Sequence, residues 1–261
     1  MKIVAAHPPG VLKLVAHEIR WAVLRELARS DYRVQELVER LQIPQNLLSY
    51  HLRKLREGQL VTERRSSADE REVYYRLDLE QFQASYLAAG SLVHPALTTL
   101  MENVPLSESP SRLPALRVLF LCTENSARSQ MAEALLRHLS HGEIEAYSAG
   151  SQPAVKVHPL ARRVMEQMGI DMRQAVPKHF QVFEGQDFDA MVTVCDRVVE
   201  SCPTFPDDPE RVHWSFRDPA SVQGTEAEQL QAFEQTAQQL ITRIRSLLPQ
   251  LAHKKRNARE Q

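Results

Sequence analysis

Two domains are predicted by this sequence, the first of mixed α+β class and the second an α/β unit built on a parallel sheet. Three observations predict them. The stretch "ENVPLSESPSRLPA", beginning at Glu102, holds three prolines and three serines without helical or strand periodicity, and so marks a linker. Before it, apolar residues recur at helical spacing and then give way to two β-type runs. After it, strand runs alternate with helical ones. With 261 residues the chain is long enough for two modest domains, which typically run about 100–200 residues each. The expected boundaries are residues 1–101, a linker at 102–114, a second domain at 115–250, and a charged tail at 251–261 that frays in solvent.

In the first domain the spacing of Ile19, Val23, Leu24 and Leu27 predicts one amphipathic helix, and Val34, Leu37, Val38 and Leu41 a second. Leu47, Leu48, Leu52 and Leu55 predict a third. Ile43-Pro44 separates the last two, and proline is tolerated in a first helical turn because the N–H it lacks would be unpaired there. Beyond Gly58, "QLVTERR" and "REVYYRLD" are β-type runs joined by the polar "SSADE", which reads as a hairpin. A last apolar segment, Leu79 to Met101, predicts one more helix. Helix, helix, turn, helix and hairpin in that order make a winged helix-turn-helix.

The second domain opens on "ALRVLFLC", a buried-strand run ending in Cys122, and continues with the helix "SARSQMAEALLRHL" and the strand "EIEAYSAG". The helix "PLARRVMEQMG", the strands "DFDAMVTVC" and "RVHWSF", and a closing helix from Glu226 to Leu248 follow. In parallel sheets ligands sit at the carboxyl ends of strands, where Cys122 lies.

Composition narrows the function classes. Hydrophobic residues make up 43% and charged residues 25%, and no apolar run nears the roughly 18 residues of a membrane span. His7-Pro8-Pro9-Gly10 interrupts the first apolar stretch and argues against a signal peptide, so a cytoplasmic protein with no membrane partner is expected. A formal net charge of −1 confines any nucleic-acid surface to a local patch. Three cysteines are an odd count, which favours reactive thiols over a disulfide framework.

A loop that leaves a strand and enters a helix aims several N–H groups at one point, and the helix dipole adds positive potential there. The loop "CTENSARS" therefore suits an oxyanion, held by Thr123, Glu124, Asn125, Ser126, Ala127 and the planar fork of Arg128. The same field favours a thiolate, which makes Cys122 a candidate nucleophile with Ser129 as donor to its sulfur.

This loop, together with "YSAG", "MGID", "VTVCDRVVESCP" and "HWSFRDPA", resembles the low-molecular-weight protein tyrosine phosphatase superfamily, and within it the arsenate reductases coupled to thiol relays. The resemblance covers about residues 115–250. It implies that Cys122 attacks arsenate, that Asp218 is the general acid, and that Cys195 and Cys202 pass the disulfide to an external, thioredoxin-like thiol reductant. Asp218-Pro219 is followed by Ala220, where tyrosine phosphatases often carry an aromatic residue. The resemblance also implies a potassium site at Asn125, Glu133 and Ser148. Lys178 stands where that site has an Asp, which leaves open whether the ion binds or an internal ammonium replaces it. No tightly bound cofactor and no other metal are expected.

In the first domain "LSYHLRKLREGQLVTERR" with "REVYYRL" resembles the ArsR family of dimeric repressors. That implies a homodimer on a DNA operator, with Gln45, Asn46, Ser49, Tyr50, His51 and Arg53 facing bases or phosphates and Lys54, Arg64 and Arg65 on phosphates. A solvated charged face on an interaction domain is the alternative. Residues 1–101 contain no cysteine, which excludes a thiolate site for arsenite there, and His7, His17, His51 and His94 read as surface or packing residues. Three functions follow in order of support: an arsenate reductase fused to a DNA-binding module, a regulator whose second domain senses an oxyanion or redox state, and a phosphatase.

Overall fold

The computed structural model describes residues 7–94, 116–199 and 210–257. The expected linker, the end of the Leu79–Met101 segment and Cys202 lie outside these residues. The chain forms two compact units.

In the first unit α1 (Gly10–Val15) precedes α2 (Glu18–Leu27), α3 (Val34–Leu41) and α4 (Gln45–Glu57). Strands β2 (Val61–Arg65) and β3 (Val73–Leu77) form the expected antiparallel hairpin, with Val61 opposite Leu77 and Arg65 opposite Val73. The helix α5 (Leu79–Ser91) closes the unit, its first turn capped by the Asp78 carboxylate, which accepts from Gln81 N. Two elements go beyond the sequence reading. The short α1 carries no buried residue, and β1 (Tyr32–Arg33) adds a third strand by pairing Tyr32 with Tyr75. A two-residue strand is too short to show a period of two. Val23, Leu24, Leu27, Leu37, Leu48, Leu52, Leu55, Leu60, Val61 and Leu77 form the core, with Ile19, Val34, Val38 and Leu41 packed against it. Leu47, expected on the same face of the third helix, is corrected: it is 39% exposed, because it lies about 100° around the helix from Leu48.

The second unit is a four-stranded, all-parallel sheet in the order β5-β4-β6-β7. Its strands are β4 (Leu116–Cys122), β5 (Ile144–Gly150), β6 (Ala190–Thr193) and β7 (Glu210–His213). Strand β4 is almost wholly apolar because it lies between β5 and β6 with both faces covered. Side chains of α6 (Arg128–Leu139), α7 (Pro159–Gln167) and α9 (Glu226–Asn257) complete the core, with Met131, Leu135, Met165, Phe233, Leu240 and Ile244 among them. The four-residue helix α8 (Asp196–Val199) follows β6, and single turns of 3-10 helix occur at Phe180–Phe183 and Pro219–Ser221.

The tail expectation is corrected at its start. Helix α9 continues past residue 250 to Asn257 with Pro249 inside it, and Leu251 is buried on the face that carries Ile244 and Leu247. The run of charge after Leu251 concealed that the apolar stripe extends one more turn. Register then sets the site: Cys122 is level with Gly150, and Thr193 with His213, so the functional side chains gather at the carboxyl ends of the strands.

Candidate functional site

Cys122 ends β4, and the loop 123–127 leads into α6. The loop carbonyls are tied from outside. Ser151 N donates to Cys122 O at 3.2 Å, Gln152 N to Thr123 O at 2.8 Å, Ala154 N to Glu124 O at 2.9 Å and His158 N to Ser126 O at 2.8 Å. In a trans peptide the N–H points opposite to the C=O, so these four bonds turn the amides of Thr123, Glu124, Asn125 and Ala127 inward. One of them is already engaged: Asn125 N donates to Cys122 Sγ at 3.0 Å. Asn125 itself has φ 49°, a left-handed conformation that asparagine tolerates better than most residues.

Gly150 permits this arrangement. A Cβ there would stand 2.4 Å from Thr123 O and 2.9 Å from Asn125 N, so the loop and β5 approach too closely for any side chain. The segment 151–158 was not singled out in the sequence, and neither was Gln130, whose Nε2 donates to Asn125 Oδ1 at 2.9 Å. No spacing rule marks such residues, because their role is to hold loop atoms that are remote in sequence.

Around the sulfur, Ser129 Oγ lies 2.8 Å from Cys122 Sγ, and Asn125 Nδ2 donates to Ser129 Oγ and Ser148 Oγ at 2.9 Å each. Ser148 Oγ donates to Glu133 Oε2 at 2.6 Å. Lys178 Nζ stands 3.4 Å from that carboxylate oxygen, and Arg137 Nη2 is 2.9 Å from its mate. Glu133 thus already faces two cationic groups, and this donor set does not fit a further cation. Arg128 turns its guanidinium to Phe216 O at 3.1 Å and to Asp218 Oδ2 at 3.3 Å. Cys195, 2% exposed, places Sγ 3.4 Å from Thr123 Oγ1. Five of the six expected catalytic residues, Cys122, Arg128, Ser129, Asp218 and Cys195, therefore meet at one loop. The sixth, Cys202, lies outside the described residues.

The electrostatics correct one expectation. Burial pushes the Cys122 thiol up, and negative charge at Cys195 pushes the same way; the Ser129 hydroxyl, Arg128 and the Asn125 N–H pull it down. The net direction is upward. The sequence shows that a helix begins here but not how deeply the sulfur is enclosed. Nearby, burial pushes the His158 imidazole down against the charges of Asp218 and Glu124, and its Nδ1 accepts from Leu160 N to cap α7.

In the first unit Gln45, Asn46, Ser49, Tyr50 and Arg53 lie exposed on α4, with Arg65 exposed and Arg64 half-buried on β2. The guanidinium of Arg53 stands over the Tyr50 ring, while Lys54 pairs with Glu57 at 2.8 Å. His51 is the exception and is corrected here: at 3% exposure it faces inward, 4.5 Å from the His17 ring, and cannot read a base. It shares the face of Leu48, Leu52 and Leu55, and that spacing was the signal that places it.

The described fold and site define a class: a cysteine at the carboxyl end of a parallel β-strand, followed by a loop with inward amides that leads into a helix. Residues 117–257 match the model of the low molecular weight phosphotyrosine protein phosphatase family, and the chain belongs to that family. Residues 17–63 match the model of the bacterial regulatory protein, arsR family. The chain is similar to an arsenate reductase of Halalkalibacterium halodurans, 37% identical over 49% of this chain and 92% of the relative. Another arsenate reductase, from Bacillus subtilis, is 35% identical over 49% of this chain and 91% of its own length. A solved structure described as an arsenate reductase in oxidized state is 28% identical, with TM-score 0.45, over 52% of this chain and 98% of that one.

Proposed function

We propose that the chain is an arsenate reductase fused to an ArsR-like DNA-binding module. One observation carries the choice of reductase over phosphatase: a second thiol, Cys195, stands beside the nucleophile loop, and hydrolysis of a phosphoester has no use for it. Arsenate enters the loop and is held by the inward amides and Arg128. As it enters, one of its oxygens accepts the Cys122 proton, and the thiolate attacks arsenic. An S–As bond forms, and one oxygen leaves as water with a proton from Asp218.

Cys195 then attacks Cys122 Sγ. The S–S bond forms, the S–As bond breaks, and its electron pair stays on arsenic, which departs as arsenite. Cys202 attacks Cys195 to move the disulfide outward, where an external thioredoxin-like thiol restores both cysteines. In sum, arsenate and two thiols give arsenite, one disulfide and water. Potassium plays no part, because the Lys178 ammonium and Arg137 already balance Glu133.

The first module binds an operator as a homodimer through Gln45, Asn46, Ser49, Tyr50 and Arg53, with Lys54, Arg64 and Arg65 on phosphates. The testing experiment is arsenate-dependent NADPH oxidation with thioredoxin and its reductase, or with glutaredoxin and glutathione. Arsenite should accumulate with one of these systems. Absence of arsenite with both, alongside hydrolysis of an aryl phosphate that survives Cys195→Ser, would select the phosphatase instead.

A further inference from the structure

A second polar cluster lies next to Cys195 and outside the anion loop. His213 ends β7 level with Thr193, and its ring bridges two neighbours: Nδ1 is 2.8 Å from Thr193 Oγ1, and Nε2 is 3.2 Å from Asp196 Oδ1. Ser215 Oγ donates to the same Asp196 Oδ1 at 2.8 Å. Thr193 Oγ1 also stands 3.4 Å from the Val212 carbonyl. The Asp196 side chain has 0% exposure and that of His213 11%.

A carboxylate enclosed to this depth is costly unless donors surround it. Here residues from three segments converge on a single oxygen or on the ring that reaches it. The two anchored positions, Thr193 and Asp196, bracket Cys195 along the chain. The network also works with either form of the ring. A neutral imidazole accepts from the Thr193 hydroxyl, whereas a protonated one donates to it while that hydroxyl turns to the Val212 carbonyl. None of these side chains has a role in attack by Cys122 on an oxyanion.

We propose that Asp196 and His213 are positioning residues for Cys195. By fixing the backbone before and after that thiol, they hold its Sγ in line with Cys122 for the step in which the S–S bond forms and the S–As bond breaks. The inference rests on the reductase reading. Disulfide formation has a narrower geometry than capture of a diffusing anion, with Cα atoms about 4.4–6.8 Å apart and a restricted torsion, so it is the step most sensitive to a displaced Cys195.

The test uses the full chain carrying Cys202→Ser, mixed with arsenate and no reductant, with the Cys122–Cys195 disulfide quantified over time by mass spectrometry. Adding Asp196→Ala should slow its formation ~10–100-fold, while Asp196→Asn, which keeps Oδ1 as acceptor for His213 Nε2 and Ser215 Oγ, should stay within about 5-fold of the parent. Iodoacetamide alkylation of Cys122 should change by less than about 2-fold in both, since the loop is untouched. Equal disulfide rates in Asp196→Ala and its parent would overturn the proposal, and so would a parallel loss of Cys122 alkylation, which would indicate general damage. If Asp196→Ala fails to fold, Thr193→Val and Ser215→Ala are judged by the same two readouts. If the Cys202→Ser parent itself forms no disulfide with arsenate, the reductase reading fails and this inference falls with it.

Discussion

At the residue scale the two best-defined positions are Cys122 and Gly150. Because burial holds the Cys122 thiol above its ordinary range, its alkylation rate without added oxyanion should still be climbing at about pH 8.5, where an unperturbed cysteine is half ionised. Arg128→Gln removes a group that favours the thiolate and should move the profile further alkaline. A plateau below neutrality would contradict both statements. Gly150→Ala forces a methyl against Thr123 O and Asn125 N; it should cost ~1–3 kcal/mol of stability by urea unfolding and abolish turnover, as overpacking against backbone cannot relax through a side-chain rotation.

At the element scale helix α4 shows what periodicity conveys and what it leaves out. Leu48, Leu52 and Leu55 were legible as the packed face, and His51 belongs to it by the same spacing, yet its polar ring suggested a surface role. Its Nδ1 meets no hydrogen-bond partner among the described residues, and burial, with His17 and Arg20 nearby, pushes its imidazole down. A lowered folded-state value means that the neutral ring is favoured on folding. The stability it contributes is therefore present above about pH 6.5 and lost as pH falls through that value toward the folded one. Thermal melts of the chain should thus drop between pH 7 and pH 5 by more than those of His51→Phe; equal drops would remove His51 as the cause. The nucleophile loop was legible for the opposite reason, since an apolar strand, a polar turn and a helix follow one another directly. The brace at 151–158 was not, because hydrogen bonds between distant backbone segments leave no composition behind.

At the scale of the whole molecule both predicted fold classes hold, and the arrangement of β5-β4-β6-β7 explains why pieces scattered from Cys122 to Asp218 serve one site. The sequence could place each strand but not their order, which depends on which edges meet. DNA binding by the full chain should show steep salt dependence: for about six phosphate contacts in the proposed dimer, affinity should fall roughly 10³-fold between 50 and 200 mM salt. Gel-shift titrations over that range check it, with Arg53→Gln and Arg65→Gln expected to flatten the slope. Binding insensitive to salt would remove phosphate contacts from the description.

The outward-tied carbonyls have a consequence for engineering. Transplanting the eight letters from Cys122 to Ser129 onto a foreign strand would import the nucleophile without its curvature, because the shape is written in the neighbouring strand's exit. A portable cassette would run unbroken from the start of β4 to at least Lys178, whose backbone N–H donates to Asn125 Oδ1 and whose carbonyl accepts from Gly150 N.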